Sequence, residues 1–292
     1  MFKLVDSIEQ AQLDEHKKPR LFSEDCYLFT PRLVAIADGV TSKADRRVVG
    51  SYSSDPEWMS NTVISLLKDI SERRKETLLD DPHEILSLLA DGIQHQFNNS
   101  KLMLDSIGAF EQPSCSLIIL YQHIKNPKKY TLINISDGFI FYRDKMVRGS
   151  KTLEKIERER IQRIKDSAAK GIRLERTAFI SGMRKNIAAR NTINGYVSVD
   201  LTRNWLKHHE VKILEEEFVS GEQILLTTDG LARLFDLYEV RTSQEFFQQA
   251  QTSGLSQMLE EIRELEKEDW IYNKYPRIKT TDDICAMLIE VV

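Results

Sequence analysis

Four segments of this chain place an aspartate at one end of an apolar, β-rich run, and that arrangement constrains the fold more than any other feature. They are Leu33–Gly39 with Asp38, Tyr130–Gly138 with Asp137, Gln223–Gly230 with Asp229, and Thr281–Ile289 with Asp282 and Asp283. A strand delivers a carboxylate to a fixed point at its rim, and a following glycine permits the turn that leaves it exposed. Several such rims converging would gather acidic oxygens that are distant in sequence, which is how proteins hold hard divalent cations such as Mg²⁺ or Mn²⁺. The pattern reads as a metal site.

Each piece has a plainer reading. Asp-Gly after an apolar run is also a common tight turn, and Asp137-Gly138, with strand-like sequence on both sides, reads equally as a hairpin. A fifth element shifts the balance: Arg20-Leu-Phe-Ser-Glu24-Asp25 stands immediately before the first strand. Alternation along an extended chain puts Arg20 and Glu24 on one side, where a planar guanidinium can clamp a phosphoryl group through two charge-assisted hydrogen bonds. A surface salt bridge is the alternative for that pair.

Composition narrows the function classes. At 292 residues, 41% apolar and 29% charged, the chain can bury a full core. Forty-one basic residues against 45 acidic ones give a net charge of −4, so no global positive field points to nucleic acid or to an anionic membrane. The apolar runs fall far short of the ~20 residues that span a bilayer, and acidic residues follow Met1 too early for a secretory signal. A cytoplasmic location is expected. Cys26, Cys115 and Cys285 are widely spaced in apolar contexts and read as buried free thiols.

No linker, repeat or low-complexity stretch divides the sequence, so a single domain over 1–292 is expected. Strands are predicted at 25–29, 33–37, 116–124, 130–136, 139–143, 223–228 and 284–292. Helices are predicted at 56–75, 82–97, 153–170, 243–250 and 255–267 from apolar residues at helical spacing. The stretch 172–213 is only weakly periodic. Runs of strands interrupted by paired helices imply an α+β class, with antiparallel sheets covered by helices.

Taken in order, Arg-x-x-x-Glu-Asp, Ala-Asp-Gly, a Ser-Asp-Gly in place of the usual Gly-Asp-Ser, Thr-Asp-Gly and a closing Asp-Asp-Ile resemble the metal-dependent type 2C (PPM) serine/threonine protein phosphatases. The resemblance runs from about Arg20 to the C-terminus and includes Leu153–Gln162, similar to the helix before the family's flap. It implies a four-layer α-β-β-α sandwich, two antiparallel sheets flanked by helices, with a flap-like segment near 172–195. It also implies two Mg²⁺ or Mn²⁺ ions. Asp38 would bridge them, the carbonyl of Gly39 and, through water, Glu24 would complete one, and Asp229 and Asp282 would bind the other. Asp25 would hold metal-bound water, Asp137 would serve a third and weaker ion, and Arg20 would grip the substrate phosphate.

Two divalent ions ~4 Å apart lower the pKa of a bridging water and neutralise phosphoryl charge, so no covalent nucleophile is required. The expected partner is a phosphorylated protein, with no nucleic acid and no membrane, and the oligomeric state is not legible. The six histidines lie outside all five motifs, which disfavours zinc hydrolysis. Val40-Thr41-Ser42 stands where many relatives have His-Gly-Gly, so the histidine proposed as leaving-group acid is missing, and the flap and groove are divergent. A binding-only pseudophosphatase and a hydrolase of small phosphorylated molecules are the competing readings. The basic residues Arg173, Arg176, Arg184, Lys185 and Arg190 make the segment 172–190 a candidate for substrate choice.

Overall fold

Leu33, Val34, Ala35, Ile36 and Ala37 are all buried, yet they alternate between two cores. Leu33, Ala35 and Ala37 pack under helices, while Val34 and Ile36 pack against a second sheet. A strand covered on both faces reads as a continuous apolar run because its period-2 side chains find apolar neighbours on either side. The same split recurs in Leu117 and Ile119 against Ile118 and Leu120, and in Ala286 and Leu288 against Cys285 and Met287.

A computed structural model describes residues 1–40, 46–50, 52–73, 80–99, 104–168, 170, 172, 177–270, 274–275, 277 and 279–292. In chain order the elements are β1 (Phe2–Gln10), β2 (Asp25–Phe29), β3 (Leu33–Gly39), α1 (Asp55–Arg73), α2 (Pro82–Asn98), β4 (Ser114–Gln122), β5 (Lys129–Ile135), β6 (Phe139–Tyr142) and β7 (Lys145–Arg148). Then follow α3 (Lys151–Ala168), α4 (Thr177–Ala188), β8 (Val199–Asp200), β9 (Lys212–Glu217), β10 (Gln223–Thr227), α5 (Asp229–Asp236), α6 (Ser243–Ser253), α7 (Leu255–Glu268) and β11 (Ile284–Val291).

One antiparallel sheet runs β1-β11-β10-β6-β7, the other β2-β3-β4-β5-β9 with β8 added beside β4. Their facing surfaces share one core, α1 and α2 cover the outer face of the second sheet, and α5 to α7 cover the outer face of the first. This is the four-layer α-β-β-α sandwich. Each fully buried Leu or Ile in these three cores contributes about 1.5–3 kcal/mol, so the sheets form rigid platforms for whatever their rims carry. Among the described residues no helix is long and apolar enough to cross a membrane.

The strands predicted at 25–29, 33–37, 130–136, 139–143, 223–228 and 284–292 and the five predicted helices stand where expected to within a few residues, except that Lys75 lies outside the described residues. Strand β4 begins two residues earlier than expected. Strand β1 has no counterpart in the sequence reading because a bulge between Leu4 and Asp6 shifts its register on β11 and breaks the alternation. The weakly periodic stretch 172–213 contains a helix, α4, whose Phe179, Met183 and Ile187 turn inward at four-residue spacing.

Candidate active site

Strand register carries the acidic residues to one end of the sandwich. Asp25 and Asp38 are directly opposed across β2 and β3, a position in which antiparallel neighbours hold their Cβ atoms about 5 Å apart. Both belong to the strand face that carries Tyr27, Val34 and Ile36, so their side chains enter the gap between the sheets. Asp283 has the same phase on its side as Cys285 and Met287. Thr228 stitches the two rims of the other sheet together: its N–H donates to Cys285 O at 2.9 Å, and its Oγ1 accepts from the Cys285 N–H at 3.1 Å. Asp229, the next residue, opens α5.

The glycines after these aspartates are needed for close approach. A Cβ at Gly39 would stand 2.7 Å from the Glu24 carbonyl oxygen and 2.8 Å from Pro56, while the Gly39 N–H donates to that same carbonyl at 3.0 Å. At Gly230 a Cβ would collide with the backbone carbonyl of Asp283. Asp38-Gly39 and Asp229-Gly230 are therefore contact points between neighbouring segments, unlike plain turns. In the third motif the unusual backbone falls one residue earlier, on Ser136 with φ of 84°, a conformation that costs a side-chain-bearing residue about 1–3 kcal/mol.

Asp38, Gly39, Asp137, Asp229 and Asp282 line one side of a cavity of about 560 Å³. The opposite wall is helical: Leu153, Ile156, Glu157, Arg160 and Ile161 from α3, with Met183 and Ile187 from α4. Carboxylate oxygens of Asp137, Glu157 and Asp229 lie within 4.8 Å of one another, close enough to share one ion. Glu157 was not singled out from the sequence. A signal was there, since Glu157 and Arg160 stand four and seven residues after Leu153, in the phase of the apolar face of α3.

Like charges and burial together hold these groups away from their ordinary titration. Burial, then Asp25, Asp229, Asp137 and Asp282, raises the Asp38 carboxyl well above the usual carboxylate range. Asp229 is pushed up to about 7 by burial, then by Asp282 and Asp137. Glu157 is pushed to about 8 by burial and by Asp137 and Asp229. Asp25, 2% exposed, is raised by burial and by Asp283 and Asp282, and neither of its oxygens makes a hydrogen bond, although Asp38 and Thr228 stand near enough to offset part of the shift.

Asp282 differs from this group. Burial acts upward on it, but Lys279 and Arg233 together hold its pKa below the usual value. Lys279 Nζ donates to Oδ1 at 2.6 Å and the Arg233 guanidinium pairs with Oδ2. Arg233 comes from α5, one turn beyond Asp229, and also faces Glu266 at 3.6 Å.

Of the other sequence-selected residues, Glu24 is buried and accepts a hydrogen bond from Ser54 Oγ at 2.8 Å. Arg20 is exposed, anchors only its N–H on Gln12 O at 2.9 Å, and is not among the residues lining the cavity. Thr41, Ser42, Arg173 and Arg176 lie outside the described residues. Arg190 is buried and bonds Asp200 at 3.2 Å, Ser114 Oγ at 2.7 Å and two backbone carbonyls, fastening the chain after α4 to β4. The three cysteines are free and buried, and burial first of all raises the Cys26 thiol to about 12. They are inert core residues.

No curated protein matches the sequence. Solved structures do resemble the fold. The serine/threonine phosphatase PstP/Ppp of Mycobacterium tuberculosis superposes with a TM-score of 0.54 at 15% identity, covering 100% of this chain and 98% of that one. A PstP catalytic domain in complex with two manganese ions gives 0.53 at 16%, with the same coverage. The photosystem II phosphatase PBCP gives 0.57 at 9% identity, covering 100% of this chain and 99% of that one. At such identities the likeness speaks for the fold alone. The family is decided by sequence: the protein phosphatase 2C family model matches residues 24–265, a span that runs from Glu24 through Asp38, Asp137 and Asp229 to α7. Matched over most of its length by that model, this chain belongs to the type 2C family of metal-dependent serine/threonine protein phosphatases.

Proposed function

We propose that the protein removes phosphate from phosphoserine and phosphothreonine on protein substrates, using two Mg²⁺ or Mn²⁺ ions held at the acidic rim. The observation that carries this reading is Asp25, a carboxylate 2% exposed, opposite Asp38, with no hydrogen bond to either oxygen among the described residues. A buried carboxylate without donors is costly, and a cation is what removes the cost. The donor set also fits, since it is all oxygen, the choice of hard divalent ions. Asp38, Asp229, the Gly39 carbonyl and, through water, Glu24 and Asp25 are the groups we assign to the two ions. Asp282 joins them by releasing Lys279. Asp137 is assigned to a third ion, with Glu157 beside it.

When bound, such ions make water acidic enough to act as nucleophile near neutral pH and offset charge on the phosphoryl oxygens. The chain's own residues do the rest. Asp38 and Asp229 hold their place through strand register and the Gly39 and Gly230 contacts, and the α3–α4 wall covers the cavity with Leu153, Ile156 and Met183, limiting water. Arg20, exposed and beside the same rim, is proposed to reach over the cavity mouth toward the phosphate. The segment 172–195, with α4 in it, is assigned to the flap. Buried free cysteines suit a reducing compartment, and we place the protein in the cytoplasm without nucleic acid or membrane partners.

The test is phosphate release from phosphoserine, phosphothreonine and phosphotyrosine peptides with Mn²⁺, with Mg²⁺ and with chelator. Turnover of the first two that depends on added metal is expected. Hydrolysis confined to small phosphate esters would replace the protein substrate, and binding of phosphopeptides without release under any metal would leave a pseudophosphatase.

A further inference from the structure

The cavity holds a cation that makes no ion pair or hydrogen bond among the described residues. Most positive groups at its edge are already matched. Arg148 pairs with Asp236 at 2.7 Å and faces Glu154 and Glu157 at 3.5 and 3.7 Å. Lys279 and Arg233 share Asp282, and Arg277 bonds Asp269 at 3.1 Å. Arg158 is exposed and pairs with Glu154. Lys165 forms no ion pair among the described residues, but it is exposed at the end of α3, where water solvates it.

Arg160 is different. It is half-buried on the cavity-facing side of α3, among Ile156, Ile161 and Tyr196, and makes no hydrogen bond or ion pair among the described residues. One turn earlier on the same helix stands Glu157, whose carboxylate belongs to the trio with Asp137 and Asp229. The guanidinium therefore borders the acidic rim from the helical wall. Burial acts against the charge of Arg160, and Glu157 and Tyr196 offset only part of it without a direct bond, so an anion that bonds the guanidinium directly would be favoured there. The fork of a guanidinium matches two oxygens of a tetrahedral phosphate, and it stays charged at any working pH.

We infer that Arg160 binds the phosphoryl group of the substrate inside the cavity, holding it between α3 and the carboxylate rim. The inference rests on the proposed phosphatase reading and deepens it, because it moves the phosphate contact from the exposed Arg20 to a residue of the opposite wall. Arg20 stands outside the cavity and meets solvent. Arg160 is enclosed with the reacting space, where charge-assisted hydrogen bonds are strongest.

The experiment uses the full chain with Mn²⁺, in wild-type form and as Arg160→Ala, Arg160→Lys and Arg20→Ala. Three quantities are measured: KM and kcat for p-nitrophenyl phosphate, and the affinity for inorganic phosphate by calorimetry. Loss of one charge-assisted contact is expected to weaken phosphate binding and raise KM by about tenfold or more in Arg160→Ala. Arg160→Lys should recover part of the loss, and Arg20→Ala should change phosphate affinity by less than Arg160→Ala does. Far-UV circular dichroism establishes that the variants are folded, and the lysine variant carries the test if the alanine variant is not.

Wild-type turnover with phosphate affinity unchanged in Arg160→Ala overturns the inference and leaves the phosphatase reading standing. Wild-type protein that binds phosphate through Arg160 yet releases none from any ester overturns the reading and leaves the inference standing. No phosphate binding by the wild type overturns both.

Discussion

The two walls of the cavity are built on different principles. On one side Asp38, Asp229 and Asp282 stand at strand ends, fixed by backbone register and by the Gly39 and Gly230 contacts. On the other, Glu157, Arg160 and Met183 project from α3 and α4, fixed only by helical phase and side-chain packing. A sheet rim locks a carboxylate through hydrogen bonds on both neighbouring strands, so its geometry survives changes elsewhere. A helix wall can shift or roll as a unit. On the proposed reading, the chemistry that tolerates no displacement falls to the rim and the surface that meets varied substrates to the helices.

That contrast can be broken by exchanging one residue from each wall. Asp38→Asn should lower turnover by at least about 10³-fold with Mn²⁺ at saturation, since a rim carboxylate is expected to hold both ions. Glu157→Gln on the helical wall should cost about tenfold, the scale of a supporting group. Steady-state kinetics on a phosphothreonine peptide, with circular dichroism to establish folding, measure both. Equal losses would remove the distinction between the walls, and a larger loss for Glu157→Gln would invert it.

A smaller effect sharpens the comparison within the rim itself. Ser136 carries the φ of 84° that a glycine would adopt without strain, and its buried hydroxyl finds no partner among the described residues. Ser136→Gly should therefore stabilise the fold by about 1 kcal/mol in urea unfolding, because relief of backbone strain outweighs the added freedom of the unfolded chain. Destabilisation would mean that the rest of the turn requires the serine.

The rim was legible in the sequence and the helical wall was not, for the same physical reason. Strand-end aspartates adjoin apolar runs whose period is two or continuous, so Asp38, Asp137, Asp229 and Asp282 could be read from a few residues each. Their convergence could not be read from spacing, because strand order places β10 beside β11 and β6 although β11 closes the chain. The family resemblance, borne out by the match over residues 24–265, is what implied their grouping. Glu157 and Arg160 were hidden because a charged residue in the apolar phase of a helix as polar as α3 looks like an irregular solvated face. What alternation could not show for Arg20 is its surroundings: the chain from Ala11 to Arg20 folds back on itself through Leu13 and Pro19, and Arg20 is exposed.

The commitment of Asp282 to Lys279 and Arg233 was likewise invisible, since Arg233 reaches it from α5, distant in sequence. It is the place where this rim departs most from a simple ring of carboxylates.

The most direct measurement of the central claim is anomalous scattering from crystals of the protein grown with Mn²⁺, collected above and below the manganese edge. Two peaks against the carboxylates of Asp38 and Asp229, absent from crystals of Asp38→Asn grown under the same conditions, are the expected result. A rim without manganese, or manganese bound unchanged when Asp38 is replaced, would contradict the account.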